Sequence, residues 1–264
     1  MPQSVSDGAK PLSKFSRWYR SPLFNVILVG LISFTQPGIW NALNSVGAGG
    51  QQKPYLVNAA NALTYGLMVF LCFTFGALAN KIGVKWILVL GTLGYAPYSA
   101  ALYVNNRYGV EWFVIFGGAT CGVAAAALWS SEAAIALGYA GVGERGKFTG
   151  IWLGLRELGQ LIGASIQLAY NVGDSDRGKI SYTTYYVLIS IQCLGLPLAL
   201  LVSPPNKVIR PNGEGIPNSA KGSTTRLEFR KTWALLRRKE IYLLIPILIG
   251  FQWNSVYVGI YLTD

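Results

Sequence analysis

The sequence predicts an all-α, polytopic membrane protein, built as a six-helix bundle, a linker and the first helix of a second bundle. Three observations predict it. The chain is 52% hydrophobic and only 12% charged over 264 residues, with a mean hydropathy of +0.38, more apolar surface than a soluble domain of this length can bury. Apolar stretches of about 20 residues recur, each long enough to cross a hydrocarbon core of about 30 Å as a helix. The basic residues fall overwhelmingly on one side of the topology these stretches define.

The hydrophobic segments lie at 22–46, 58–80, 86–104, 112–138, 148–170, 182–203 and 241–262. Residues 1–21 lack the unbroken apolar core of a signal peptide and read as a cytoplasmic tail, with the first span as an uncleaved anchor. The tail, the loops at 81–85 and 139–147 and the long loop at 204–240 together carry seventeen Lys and Arg; the loops at 47–57, 105–111 and 171–181 carry four. Positive charge accumulates on cytoplasmic loops, so the N-terminus is predicted to be cytoplasmic. The net charge of +11 is thereby a topology signal, and nucleic acid drops out as a partner.

The predicted units are a tail at 1–21, a six-span bundle at 22–203, a basic cytoplasmic linker at 204–240 and a seventh span at 241–264. The linker opens on helix-breaking Pro204-Pro205, runs through Gly, Asn and Ser, and ends in a basic run with the character of a short interfacial helix. Six spans, a linker and a seventh span are half of a twelve-span plan. The chain therefore reads as a truncated gene product, with a genuine seven-span protein as the alternative.

Composition also prunes chemistry. With no histidine, His-dependent triads, imidazole relays and His-ligated metals are excluded. Cys72, Cys121 and Cys193 lie in apolar stretches, too far apart for a Cys-x-x-Cys site, and read as packing residues. No phosphate-binding glycine loop or nucleophile elbow is present. No enzyme, metal site or cofactor is expected.

Residues 76–86, GALANKIGVKW, join the second and third segments. Gly76, Leu78, Ala79, Lys81, Gly83 and Lys85 fit the pattern Gly-x-Leu-Ala-Asp-[Arg/Lys]-x-Gly-x-[Lys/Arg], so the loop resembles the signature of the major facilitator superfamily. Asn80 stands where that family usually carries an acid. TQPGIWNALNSVGAGG at 35–50, NAANALTYG at 58–66, WSSEAA at 129–134 and GIWLGLRELGQLIGASIQL at 150–168 are similar to the fungal uncoordinated-ninety-three-like (ion channel regulatory protein) group within it. The resemblance spans nearly all of 20–203. It implies a twelve-span facilitator fold, with Gly76, Asn80, Lys81, Gly83 and Lys85 forming a cytoplasmic gate loop in which the acid stabilises one alternating-access state. Physically, Gly76 is expected to let two helices approach closely, Gly83 to permit a tight turn, and the lysines to sit near helix C-termini and anionic headgroups.

A charge at mid-bilayer costs about 2.5–3.5 kcal/mol on insertion scales, so each one prompts a functional hypothesis. The apolar spans hold three: Glu132, Arg156 and Glu157. Segments four and five run antiparallel, so Glu132 is expected to reach Arg156, leaving Glu157 facing another neighbour. The bland reading is a bundle-stabilising ion pair; the functional one is a substrate-orienting Arg or a protonatable, coupling carboxylate. Asn41 and Asn44 follow the Pro37-Gly38 break and share a helix face, as in transporter binding helices or as interhelical glue. Asn58 and Asn61 repeat the spacing nearer a span end.

Gly118-x-x-x-Gly122, Gly150-x-x-x-Gly154 and Gly159-x-x-x-Gly163 are expected to make close helix crossings. Trp18, Tyr19, Trp86, Trp112 and Trp233 read as interfacial anchors. Three readings follow: secondary transport of a small solute or ion by alternating access, a non-transporting regulatory or trafficking partner of another membrane protein, or an inactive fragment of a twelve-span protein. No sorting signal separates plasma membrane from endosomal or vacuolar membrane.

Overall fold

The computed structural model describes residues 13–45, 54–171, 180–210, 213, 215, 216, 230, 233–235, 237–247 and 250. Residues 1–12 of the predicted tail, the loops at 46–53 and 172–179, much of the linker and most of the seventh predicted span lie outside the described residues.

Helix α1, Lys14–Tyr19, starts on a Ser13 hydroxyl that accepts from Ser16 N; Phe15 and Trp18 are exposed. Ser21 caps α2, Pro22–Ser33, in the same way, with Pro22 at the first helical position, where its missing N–H costs nothing. A π-turn at Phe34–Gly38 follows and leads into α3, Ile39–Ser45. Pro37, inside this turn, lacks the N–H a regular helix would use, so span one is broken at mid-length. Span two is the single helix α4, Pro54–Ile82. Span three is α5, Val84–Gly91, and α6, Tyr95–Tyr108, interrupted at 92–94. Span four is α7, Trp112–Tyr139. Span five is α8, Arg145–Asn171, and span six is α9, Tyr182–Cys193, with α10, Gly195–Leu201.

Five of these spans, Pro22–Ser45, Tyr55–Ile82, Val84–Tyr108, Trp112–Tyr139 and Tyr182–Leu201, are long and apolar enough to cross a membrane. The exception is α8. Its 27 residues reach about 40 Å at 1.5 Å per residue, but Arg156, Glu157 and the basic first turn lower its apolarity. It has the length of a spanning helix, and its polar residues set it apart from the other five.

Spans one and five pack along each other, as do two and four, while span three lies against four and six. Exchanging spans one, two and three for four, five and six maps the first pairing onto the second, which is the arrangement of two inverted three-helix repeats. The core runs through all six spans, centred on Val29, Ile32, Leu43, Leu88, Tyr98, Leu128, Tyr185 and Leu188.

The glycine repeats divide into working and idle ones. A Cβ on Gly118 or Gly122 would stand 2.8 Å and 2.9 Å from backbone oxygens of Ala60 and Thr64 in α4, and one on Gly159 or Gly163 would strike Phe34 and Ala42 of span one. Gly150 and Gly154 have nothing within 4 Å. This corrects the expectation of a close crossing there: both face away from neighbouring helices. Gly76 is likewise in open space, so it brings no two helices together. Gly83, at φ +103°, does make the turn between α4 and α5 that only glycine adopts without strain. Cys121 is buried and Cys72 partly so, as packing residues are, whereas Cys193 is exposed.

The end of the bundle carrying the N-terminus is closed by residues just past span six. Tyr19 donates to the Leu201 carbonyl at 2.5 Å, Lys85 Nζ to that of Leu200 at 2.7 Å, and Ser203 N to Asn25 Oδ1 at 2.7 Å. Val208 is buried, Ile209 N donates to Arg20 O, and the Arg210 guanidinium donates to the carbonyls of Gly138, Tyr139 and Ala140 at 3.1–3.4 Å. These are carbonyls that the end of α7 leaves without helical partners, at its negative pole. Arg210→Ala is expected to lower stability by about 1–2 kcal/mol, read as an earlier thermal unfolding midpoint in detergent; an unchanged midpoint would remove the cap from the account. The first residues assigned to the linker thus fold as part of the bundle's surface.

Candidate functional site

The polar groups of spans one, four and five converge beside the π-turn of span one. There α8 crosses so closely that a Cβ on Gly38 would stand 2.8 Å from the Arg156 carbonyl and 3.1 Å from Gly159 Cα. Glycine on both sides of the crossing is what lets the backbones meet, and the meeting fixes the height of Arg156 relative to the broken span.

Glu132 is fully buried, yet it does not pair with Arg156. Its Oε2 accepts from Trp152 Nε1 at 3.1 Å, and the same indole N–H lies 2.7 Å from Ser33 Oγ. Arg156 instead binds the carboxylate of its neighbour Glu157, with Nε to Oε1 at 3.0 Å and a second bond from Nη2, and lies over the Trp129 ring at 5.2 Å. Trp129 and Trp152 meet edge to face with centroids 6.1 Å apart. The predicted Glu132–Arg156 ion pair is therefore replaced by a crossed arrangement. The residue one turn before Arg156 holds Glu132, and the ring one turn before Glu132 holds Arg156. An adjacent carboxylate and an aromatic face satisfy the guanidinium without bringing a second buried charge into contact.

Burial separates the two acids. The Arg156 and Glu157 side chains are 20% and 57% accessible, so the pair opens on the free face of α8. Glu132 Oε1 is buried without a hydrogen-bond partner among the described residues. Trp129, Trp152 and Ser33 are the residues that sequence reasoning missed. The available signal was their spacing: Trp129 lies three residues before Glu132 and Trp152 four before Arg156, one helical turn in each case.

Asn41 and Asn44 do not join this cluster. Asn44 Oδ1 accepts from Asn61 Nδ2 at 3.0 Å and from Tyr98 OH at 3.1 Å, and Tyr98 OH also lies 3.0 Å from Asn61 Oδ1. One phenol and two amides thus tie spans one, two and three together, and Asn41 is half-buried nearby on span one. Asn44 Oδ1 thus serves the interhelical reading, while its Nδ2 donates within its own helix to the Trp40 carbonyl at 2.9 Å. Asn58 is exposed. A second buried amide joins the broken span to span six: Gln36 Nε2 donates to the Gln192 carbonyl at 2.6 Å over Gly195, where a Cβ would collide with the amide.

The predicted loop at 76–86 is helical except at Gly83, because α4 runs to Ile82 and α5 starts at Val84. Asn80 and Lys81 in the last turn of α4 are exposed, and Lys85 in the first turn of α5 caps the end of span six. Trp18, Trp86, Trp112 and Trp233 are all more than half exposed, as belt residues at span ends are.

A bundle of apolar helices related as inverted repeats, with few charges inside its spans and a proline-broken first span, defines an integral multi-pass membrane protein of the facilitator type. Residues 21–263 match the Major Facilitator Superfamily, and the chain belongs to that family. It is 36% identical over 244 residues to Notoamide biosynthesis cluster protein O' of Aspergillus versicolor, covering 92% of this chain and 53% of the relative. It is 29% identical over 239 residues to an UNC93-like protein of Schizosaccharomyces pombe, covering 90% and 47%. It is 27% identical over 256 residues to UNC93-like protein 1 of Arabidopsis thaliana, covering 94% and 56%. The chain spans about half the length of these curated relatives.

Proposed function

We propose that the bundle is one half of a secondary transporter that moves a small solute by alternating access. The observation that carries this reading is the Arg156–Glu157 pair, placed at mid-depth on α8 and open on the bundle's free face. Against lipid, such a pair costs several kcal/mol. Against a water-filled path between two six-helix halves it costs little and offers a cation and an anion to solute. Trp129 beneath Arg156 sets the height of the guanidinium, and the break in span one supplies a hinge beside it. Solute recognition rests on Arg156 and Glu157, with Glu132 as the buried carboxyl of the same cluster. Asn44 holds the bundle's geometry through Asn61 and Tyr98. The N-terminal end is cytoplasmic, following the excess of Lys and Arg there, and the helix ends around the Gly83 turn, with Asn80, Lys81 and Lys85, belong to the cytoplasmic gate.

The test is flux. In liposomes holding the protein, or a full-length relative carrying the same residues, Arg156→Ala and Glu157→Gln are each expected to lower solute or proton uptake by about tenfold or more. Uptake equal to the unmodified protein would remove the pair from the mechanism.

A second reading, a non-transporting regulatory partner of another membrane protein, is favoured by Asn80. It is exposed and stands where the facilitator signature has an acid, so the charge contact of the gate is missing. The UNC93-like names of the relatives agree with it. Stoichiometric co-purification of one membrane protein, with no flux under any gradient, selects this reading. Asn80→Asp separates the two: it shifts crosslinking across the gate in a transporter and leaves it unchanged in a regulator.

A further inference from the structure

At the end of the bundle opposite the N-terminus, spans three and six present a cluster that the cavity reading does not use. Arg107 lies in the last turn of α6, one residue from its end, and is exposed. Its Nη1 donates to Tyr103 OH at 2.5 Å and lies 3.4 Å from Tyr186 OH, and those two hydroxyls are 2.5 Å apart. The guanidinium stands over three rings, those of Tyr103, Tyr108 and Tyr182, at 5.2–6.0 Å.

Two features separate this cluster from an ordinary aromatic belt or a helix cap. The terminal carbonyl of Asn105 is already taken by Gly109 N, and Arg107 turns toward the phenols of span six rather than to its own helix end. Among the described residues it has no carboxylate partner, and its Nε and Nη2 donors carry no hydrogen bond; phenols orient the charge but do not neutralise it. Tyr108, Tyr182 and Tyr186 are 63%, 44% and 51% exposed, so the unused edge of the fork is framed by aromatic faces open to the outside.

We propose that Arg107 and its tyrosines bind the phosphodiester of a phospholipid in the leaflet on this side of the membrane. The planar fork with two unused donors matches the bidentate geometry of a phosphate. Tyrosines at span ends lie at headgroup depth, where their hydroxyls meet the polar layer and their rings meet the upper acyl chains. A ligand with both a phosphate and acyl chains satisfies the whole cluster, whereas free phosphate satisfies the guanidinium alone. The site pins the outer edges of spans three and six to the lipid while the face bearing α8 remains free.

The test uses the full chain in nanodiscs of phosphatidylcholine, doped with a phospholipid carrying a photoactivatable group beside its phosphodiester. Adducts are mapped by mass spectrometry and scored against those on peptides containing Trp18 and Trp86 at the other end. Adducts are expected on the segments holding Tyr103 to Tyr108 and Tyr182 to Tyr186. Their ratio to the reference is expected to fall about tenfold in Arg107→Gln and to recover in part in Arg107→Lys. Millimolar inorganic phosphate is expected to leave them in place. An unchanged ratio in Arg107→Gln overturns the proposal, and displacement by inorganic phosphate overturns the lipid assignment in favour of a free anion.

Discussion

Gly159→Val is expected to prevent spans one and five from packing. A Cβ at that position would stand 2.5 Å from the Phe34 carbonyl oxygen and 2.8 Å from Phe34 Cα, and both are backbone, which cannot swing aside as a side chain would. Overpacking in a tight core costs about 1–3 kcal/mol. Here the helix axes themselves must separate, so the effect sits at or above the top of that range. Because α8 crosses at the π-turn, separation also displaces Arg156. The measurement is the fraction of detergent-solubilised protein that stays monodisperse after heating. Gly154→Val is the control, since the same motif on the same helix leaves that site with nothing within 4 Å. Its change is expected to stay within about 0.5 kcal/mol. Equal losses in the two variants would show that the motif, and not the contact, sets the cost.

Trp152 carries the second large effect. It is 6% exposed, donates toward both Ser33 and Glu132 and meets Trp129 edge to face. Trp152→Ala removes all of this and is expected to cost about 3 kcal/mol or more. In a bilayer that loss is mainly packing rather than transfer from water. Trp152→Phe keeps an aromatic ring, smaller than the indole, and deletes the donor, which leaves the buried carboxyl of Glu132 without it at about 1–3 kcal/mol. Thermal unfolding of the two variants beside Glu132→Gln apportions the cluster. If Trp152→Phe matches the unmodified protein, the indole N–H is not what holds Glu132.

How much of the site could be read from the chain follows from range. Arg156 and Glu157 were identifiable because a charge in an apolar run stands out without knowing its neighbours. The break at Pro37 was equally visible, since proline cannot supply the N–H that a continuous helix needs. The partners were not. Glu132 and Arg156 are 24 positions apart on antiparallel spans, and either could be placed opposite the other by a helical rotation that the sequence does not specify. What decided the outcome was the Gly38–Gly159 crossing, which turns α8 so that Trp152 meets Glu132 and Arg156 meets Trp129.

The same distinction runs through the glycines. Gly150 with Gly154 and Gly159 with Gly163 share the four-residue spacing on one helix, yet only the second pair touches span one. That spacing places the members of each pair on a common face. The nine-residue offset between the pairs, about 180° of helical rotation, puts the pairs on opposite faces, and spacing does not say which face another helix meets. Gly83 was legible alone, because a turn at φ +103° is a local demand on a single residue.

By itself, then, the sequence determined the membrane as solvent, the run of apolar helices and their charge asymmetry, because hydropathy, helix length and loop charge are sums over residues that need no partners. The family was legible through short motifs such as that at 76–86, which are equally local. Tertiary structure alone decided which polar groups meet, that residues just past span six close one end of the bundle through Arg210, and that Arg107 stands among tyrosines of another span. Those depend on helix rotation, crossing height and chain return, and they are settled only when all six spans pack at once.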